Sequence, residues 1–501
     1  MVRKLLITIL LVFATYTYAQ QPLSLDSCRQ MALRNNKKIS IARLNTDIAR
    51  DTRRAAKTKY LPHIDFVGGY EYVSKEISIL SENQKNVIAN IGSAATGQMS
   101  GTLQSFLSDM AIQGVVTPQE AQAIGQIANK YMPEIQNSGN ALGQQIVDAF
   151  KTDTKHSFGA ALMLTQPIYT GGRITAANKI TEIGIGLSEE ALDDCRQSTI
   201  WEIDNAYWTV VSLKNKERLA ESYLQLIKKL YDDVQKMITE GVATRADGLK
   251  VDVKMNEAEM QLTQIQNATS LAKMLLCRLC GIPISGEISL ADENNSEIFV
   301  NNDFVEDNIN SADIQYAREN RTEVKMLDKV MQISHQKTKM AKAERLPQIA
   351  LTGGYMVSNP NVYDGFQRKF KGIWNVGVMI KMPIWDWMEG AYKVRTSRTA
   401  ASIAAMELED AKDLVELQVN QGAFKLTEAH KRQSLAERNI THAEENLRCA
   451  NLGFKEGVME VTDVMAAQTA WLKAHSQKID ADIDIILSKT NMKKVLGERI
   501  F

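Results

Sequence analysis

The feature that most constrains this chain is a phrase it uses twice. Glu240-Gly241-Val242, followed by Asp247, returns as Glu456-Gly457-Val458, followed by Asp463, at one constant offset of 216 residues (240 to 456, 247 to 463). Each copy lies between two long stretches in which apolar residues recur at helical spacing. A glycine that ends one helix and a polar residue that opens the next make a tight helical hairpin. Thr244 and Asp247 also have the spacing of a capping box. The two phrases therefore predict a duplicated protein with two helical tips: Gly241, Thr244, Arg245 and Asp247 mark the first, Gly457, Glu460 and Asp463 the second.

The duplication extends beyond the tips. Leu61-Pro62 and Gly68-Gly69-Tyr70 match Leu346-Pro347 and Gly353-Gly354-Tyr355 at an offset of 285 (62 to 347), as Ala32 and Asn35 match Ala317 and Asn320. Pro167-Ile168 pairs with Pro383-Ile384, and Gly281 with Gly497, at 216 again. The fall from 285 to 216 gives the first copy 69 residues that the second lacks, placed at about residues 81–156 and rich in Gly, Gln, Ser and Ala. Such a segment reads as a surface excursion with room for short helices.

Around the Gly-Gly-Tyr motifs the apolar period changes from 3.6 to 2. Phe66 and Tyr70, Leu162 and Leu164, Leu351 and Tyr355, and Trp374, Val378 and Ile380 fall on the apolar side of four alternating runs. Each run is about ten residues, the length of a membrane-crossing strand, with aromatic residues near its ends. A soluble, half-buried hairpin gives the same alternation.

Helix lengths bear on that choice. From Pro167 to the first tip the chain has room for a helical run of about 100 Å. The return is split by a polar linker at residues 282–307 into pieces that recover the same length, and the second copy borrows its missing upper piece from Leu23–Tyr60. The expected fold is mainly α, with long helical hairpins and four β-strands per chain, built from repeats at 20–281 and 308–501. Four membrane strands cannot close a barrel, which needs about eight or more, and an open edge in lipid leaves backbone groups unpaired. Copies must combine. Three copies, with twelve strands, make a barrel wide enough to continue into a conduit of helices.

Residues 1–19 read as an export signal: Arg3 and Lys4, the apolar run Leu5–Phe13, and the small-residue site Thr17-Tyr18-Ala19. With 59 basic and 59 acidic side chains, no global field points to nucleic acid. The five cysteines are scattered, and Cys277-x-x-Cys280 reads as helix-end packing because its repeat partners are Lys493 and Leu496. The six histidines show no ligand spacing, and no catalytic or phosphate-binding motif occurs, so neither enzyme chemistry nor a cofactor is expected.

With these residues in view, the chain resembles the outer membrane factor family, the TolC-like export ducts of Gram-negative bacteria. The resemblance rests on Leu-Pro…Gly-Gly-Tyr, on Pro167–Tyr169 and Pro383–Trp385, and on the paired tips, and it covers the whole mature chain. It implies a homotrimer with a twelve-stranded outer-membrane barrel and a periplasmic α-barrel of twelve helices. It also implies docking of the tips by a periplasmic adaptor and by an inner-membrane pump or secretion ATPase. Family members often line the tip constriction with two aspartates three positions apart. Here Asp463 matches the first and Ala466 stands at the second, so a double acidic ring does not carry over. Glu460 is the next acidic candidate, and Asp463 has a second reading as a helix-start carboxylate. The competing class is a soluble periplasmic coiled-coil adaptor or scaffold.

Overall fold

The structure is a computed structural model describing residues 22–74, 80–90, 135–150, 154–284, 288–294, 310–361, 363 and 367–499. The expected export signal and much of the expected insertion lie outside these residues. The chain divides into a helical unit (Met1–Lys57, Gly172–Glu344, Trp385–Phe501) and a strand unit (Thr58–Gly171, Arg345–Ile384).

In chain order the first repeat comprises α1 (Leu25–Asn35), α2 (Lys37–Thr58), β1 (His63–Tyr72), α3 (Glu82–Ala89), α4 (Ile135–Ala149), β2 (His156–Tyr169), α5 (Arg173–Thr239) and α6 (Arg245–Cys280). The second comprises α7 (Ser311–Asn320), α8 (Thr322–Ala343), β3 (Gln348–Asn359), β4 (Lys371–Lys381), α9 (Glu389–Lys455) and α10 (Val461–Leu496). The long helices α5 and α9 both have 67 residues, and the return helices α6 and α10 both have 36. α2 and α8 both have 22. A 67-residue helix is a rod of about 100 Å. The offsets seen in the motifs thus recur in the helix boundaries.

Within the helical unit, apolar faces at helical spacing meet in three cores, one of which joins Ala317 of α7 and Val324 of α8 to Leu408 and Val419 of α9 and Val495 of α10. Near the tips, Ile227, Leu230 and Val234 of α5 join Val251 of α6, Phe454 of α9 and Val464 of α10. Each such side chain, fully buried, contributes about 1.5–3 kcal/mol. Farther along, Ile203, Tyr207 and Val210 of α5 pack with Cys28 and Ala32 of α1 and with Leu276 and Cys280 of α6. The described part of the expected linker is tied to this core. Leu23 donates to the Ser289 carbonyl (2.8 Å), Ala291 to the Leu23 carbonyl (3.0 Å), and the Tyr207 hydroxyl to Asp292 (2.6 Å). Beside it, Arg29 grips the fully buried Asp204 carboxylate with Nε at 2.7 Å and Nη2 at 2.6 Å. Hydrogen bonding to that carboxylate holds the guanidinium above its ordinary range.

The seams between repeats are not equivalent. α8 packs on both α5 and α9. Toward α9, Thr338 donates to the Ser397 carbonyl (3.0 Å); toward α5, Thr322 donates to Asp194 (2.9 Å) and the Lys329 stem lies against Gly186. Its counterpart α2 lies along α5, through Lys38–Glu202 (2.9 Å) and Arg53 to the Asn178 carbonyl (2.5 Å). The other row of α2 is open: Ile41, Leu44 and Ile48 are 59–63% exposed. So is a row on α9, with Ile403, Met406, Leu414 and Leu417 all about half exposed or more.

The strand unit is a four-stranded antiparallel sheet in the order β1-β2-β3-β4. Its register aligns Phe66, Leu162, Tyr355 and Trp374 in one row across all four strands, and Ile64, Leu164, Gly353 and Val376 in the next. The small core of Leu80, Ile88 and Val147 accompanies α3 and α4. β2 begins at His156, so the insertion ends just short of the boundary expected from sequence.

One local contrast separates the repeats. Gly171 and Gly172 adopt left-handed backbone (φ 62° and 88°), and their counterparts Trp387 and Met388 adopt it too (φ 50° and 69°). A side chain there costs about 1–2 kcal/mol per residue. Asp386 holds the turn by accepting from the amides of Met388 (3.1 Å) and Gly390 (2.8 Å). Trp387→Gly is expected to stabilise the chain by roughly 1 kcal/mol, read as a higher denaturant midpoint in detergent. An unchanged or lower midpoint would refute the strain argument.

Candidate functional site

The two tips are built alike. In the first, the Gly241 amide donates to the Ile238 carbonyl (3.1 Å) and the Val242 amide to the Met237 carbonyl (2.8 Å). In the second, Gly457 donates to Phe454 (3.1 Å) and Val458 to Gly453 (2.9 Å). This is the Schellman arrangement, and it needs the left-handed φ of 76° and 74° that only glycine adopts freely. The chain then re-enters a helix. Thr244 caps α6, accepting from the Asp247 amide at 3.3 Å, while the Asp247 carboxylate accepts from the Thr244 amide at 3.2 Å. Bonds from the Thr244 hydroxyl and then from Lys250 hold the Asp247 carboxyl below its usual range.

At the second tip Glu460 occupies the cap position, and the Asp463 carboxylate accepts from the Glu460 amide at 3.1 Å. Asp463 therefore does at the start of α10 what Asp247 does at the start of α6. It is also exposed, as are Arg245, Glu460 and Ala466, and the apolar tip residues Val242 (69%) and Val458 (79%) stand in the open. Both tips share the four-helix core described above, so Gly241, Thr244, Arg245, Asp247, Gly457, Glu460 and Asp463 lie at one end of the helical unit.

The strand residues selected by alternation also come together. Phe66, Tyr70, Leu162, Leu164, Leu351, Tyr355, Trp374, Val378 and Ile380 share one face of the sheet by register and parity. The opposite face carries Asp65, Thr165, Thr352, Asn375 and Gly377 among its residues. β1 and β4 are the edges, exposed at every position. Among the described residues no group of three or more His, Cys, Asp and Glu is placed to hold a metal, and no helix is long and apolar enough to cross a membrane.

A sheet with one apolar face and one mixed face that carries Asp65, Thr165, Thr352 and Asn375 beside Met163 and Met379, open at both edges and joined in one chain to paired helical hairpins of matched length, defines the protomer of a channel-forming membrane protein. The sequence model described as outer membrane efflux protein matches residues 119–281 and 314–498. Among solved structures the chain is similar to CusC, at 13% identity and a TM-score of 0.69, over 96% of this chain and 93% of that one. It is also similar to the outer membrane protein VceC of Vibrio cholerae (14%, 0.68, over 95% and 97%) and to the CmeC outer membrane channel of Campylobacter jejuni (14%, 0.68, over 94% and 85%). Comparison with curated protein sequences finds no significant match. The chain belongs to the outer membrane efflux protein family. It is an outer-membrane exit duct for efflux, and the soluble adaptor reading is not supported.

Proposed function

We propose that three copies of this chain close into a passive duct in the outer membrane. The observation that supports closure is the position of α8. It fills the seam between α5 and α9 of its own chain, whereas the corresponding row of α2 is uncovered. Moving each α8–α5 contact by the repeat offsets gives its expected partner between copies: Thr322 and Asp194 become Lys37 and Asp410, and Lys329 and Gly186 become Leu44 and Ser402. All four are exposed in the single chain, and Lys37 with Asp410 are opposite in charge. The strands ask for the same closure. With four antiparallel strands, β4 of one copy meets β1 of the next antiparallel, which removes every edge.

In this duct the apolar row of the sheet faces lipid and the mixed face lines the pore. The tips receive a periplasmic adaptor and, through it, an inner-membrane pump or secretion ATPase; Val242, Arg245 and Val458 are the exposed groups offered to them. The repeats at 20–281 and 308–501 then act as equivalent walls, and the insertion near 81–156 sits at a strand connection, where added length leaves the helical walls untouched.

Threefold assembly makes a ring of any acidic residue that faces the axis. Asp463 is the first candidate and Glu460 the second. Carboxylates crowded in a narrow mouth attract cations, so the closed channel is expected to be cation-selective. Asp463→Asn should move the reversal potential under a salt gradient toward zero while leaving the trimer intact. An unchanged reversal potential with an intact trimer would confine Asp463 to its helix-start role.

A further inference from the structure

The first repeat carries a contact that its own duplication does not explain. Cys28 on α1 and Cys280 at the last turn of α6 are both 0% exposed and lie in one core with Ile203, Tyr207 and Leu276. The Cys280 thiol points at α1, with its sulfur 3.8 Å from the Cys28 carbonyl oxygen, and both side chains belong to the same buried cluster. The corresponding positions of the second repeat are Asp313 and Leu496, so packing α1-like against α6-like helices does not require sulfur. Cys277, one turn earlier on α6, is also buried, and burial rather than a bond to Cys28 is the chief influence on its thiol.

An outer-membrane protein matures outside the reducing cytoplasm, where thiols held in contact are oxidised and disulfides persist. We propose that Cys28 and Cys280, thiols in this structure, form a disulfide in the exported protein, stapling α1 to the end of α6. The two thiols lose two protons and two electrons as the S–S bond forms, and the electrons reduce the disulfide of a periplasmic thiol oxidant to a dithiol. In vitro, oxidised glutathione does the same and leaves two molecules of glutathione. Burial of the pair makes the bond a product of folding and shields it from exchange afterwards.

The staple has a definite role. α1 is only 11 residues long, and it holds the start of the mature chain against α5 and α6 through the Arg29–Asp204 pair and the Leu23–Ser289 bond. A covalent tie between cysteines 252 positions apart restricts the unfolded chain over a long loop, the case in which a cross-link stabilises most.

The test is to export the full chain, purify it in detergent, denature it and alkylate without reduction. Three of the five cysteines should be labelled, namely Cys195, Cys277 and Cys449, and the peptides carrying Cys28 and Cys280 should be recovered joined. Cys28→Ser should free Cys280 for labelling, whereas Cys277→Ser should leave the joined peptides in place. Reductant should lower the unfolding midpoint of the wild type and of Cys277→Ser, and leave Cys28→Ser unmoved. Five labelled cysteines in the wild type, or a bond from Cys277 to either partner, would overturn the proposal. If Cys28→Ser fails to fold, the labelling pattern of the wild type alone still decides it.

Discussion

Lys37→Cys combined with Asp410→Cys in one chain is expected to yield covalent trimers on mild oxidation, as the main product on a non-reducing gel. Each copy would offer the thiol introduced on α2 to one neighbour and the thiol introduced on α9 to the other, so cross-links run around a closed ring. Thr322 and Asp194, which meet at 2.9 Å inside one chain, correspond by the repeat offsets to Lys37 and Asp410. The control is Thr322→Cys with Asp194→Cys, which should link within a chain and leave the mass monomeric. Either single variant should give no ladder. If the Lys37/Asp410 pair links only within a chain, or not at all while the control links, the proposed seam is wrong. The test is separable from family membership, which rests on the sequence match.

Asp204→Ala should be the most damaging single substitution in the helical unit. Asp204 is fully buried and takes both Nε and Nη2 of Arg29, whose side chain is 21% exposed. Removing one partner of such a buried pair costs about 3–5 kcal/mol where the other charge is left alone; here Arg29 keeps only the exposed Asp26, at 3.3 Å from Nη1. Partial exposure of Arg29 lets water share its charge, which places the expected loss near the lower end, about 3 kcal/mol. Replacing both residues, Arg29→Met with Asp204→Leu, should restore most of it, because two apolar side chains leave no charge stranded. Denaturant unfolding in detergent measures all three variants. A loss under about 1 kcal/mol for Asp204→Ala would show that Asp26 and solvent are enough to satisfy Arg29.

Much of the fold was legible because duplication tests itself. Glu240-Gly241-Val242 alone is a weak helix-end signal, but its return at Glu456-Gly457-Val458 fixed the offset at which α5 and α9, and α6 and α10, later proved equal. The strands were legible for a different reason. Successive side chains of a strand point to opposite faces, so Phe66, Leu162, Tyr355 and Trp374, large and apolar at alternate positions, could be assigned to one side before their register was known. Three features were not legible. The Arg29–Asp204 pair joins residues 175 apart, and nothing in the local sequence of either marks a partner. The left-handed turn at Trp387 and Met388 contradicts residue preference; only its alignment with Gly171-Gly172 could have disclosed it. In the sequence Cys280 belongs to a lone CxxC, and its neighbour Cys28 is brought in only by tertiary packing.

The equal lengths of the two repeats carry a consequence for how such a chain can change over time. A residue removed from α9 would turn everything beyond it by about 100° and slide it by about 1.5 Å, so the tip would arrive out of phase with its twin. The 67-residue and 36-residue helices are therefore closed to single insertions and deletions. Even seven residues at once, which nearly restores the phase, would leave one hairpin about 10 Å longer than the other. The connection between β1 and β2 need not keep step with its twin between β3 and β4, because strand pairing is blind to what lies beyond the hairpin. Length variation among descendants of this chain should collect there, at the one place where its two halves already disagree by 69 residues.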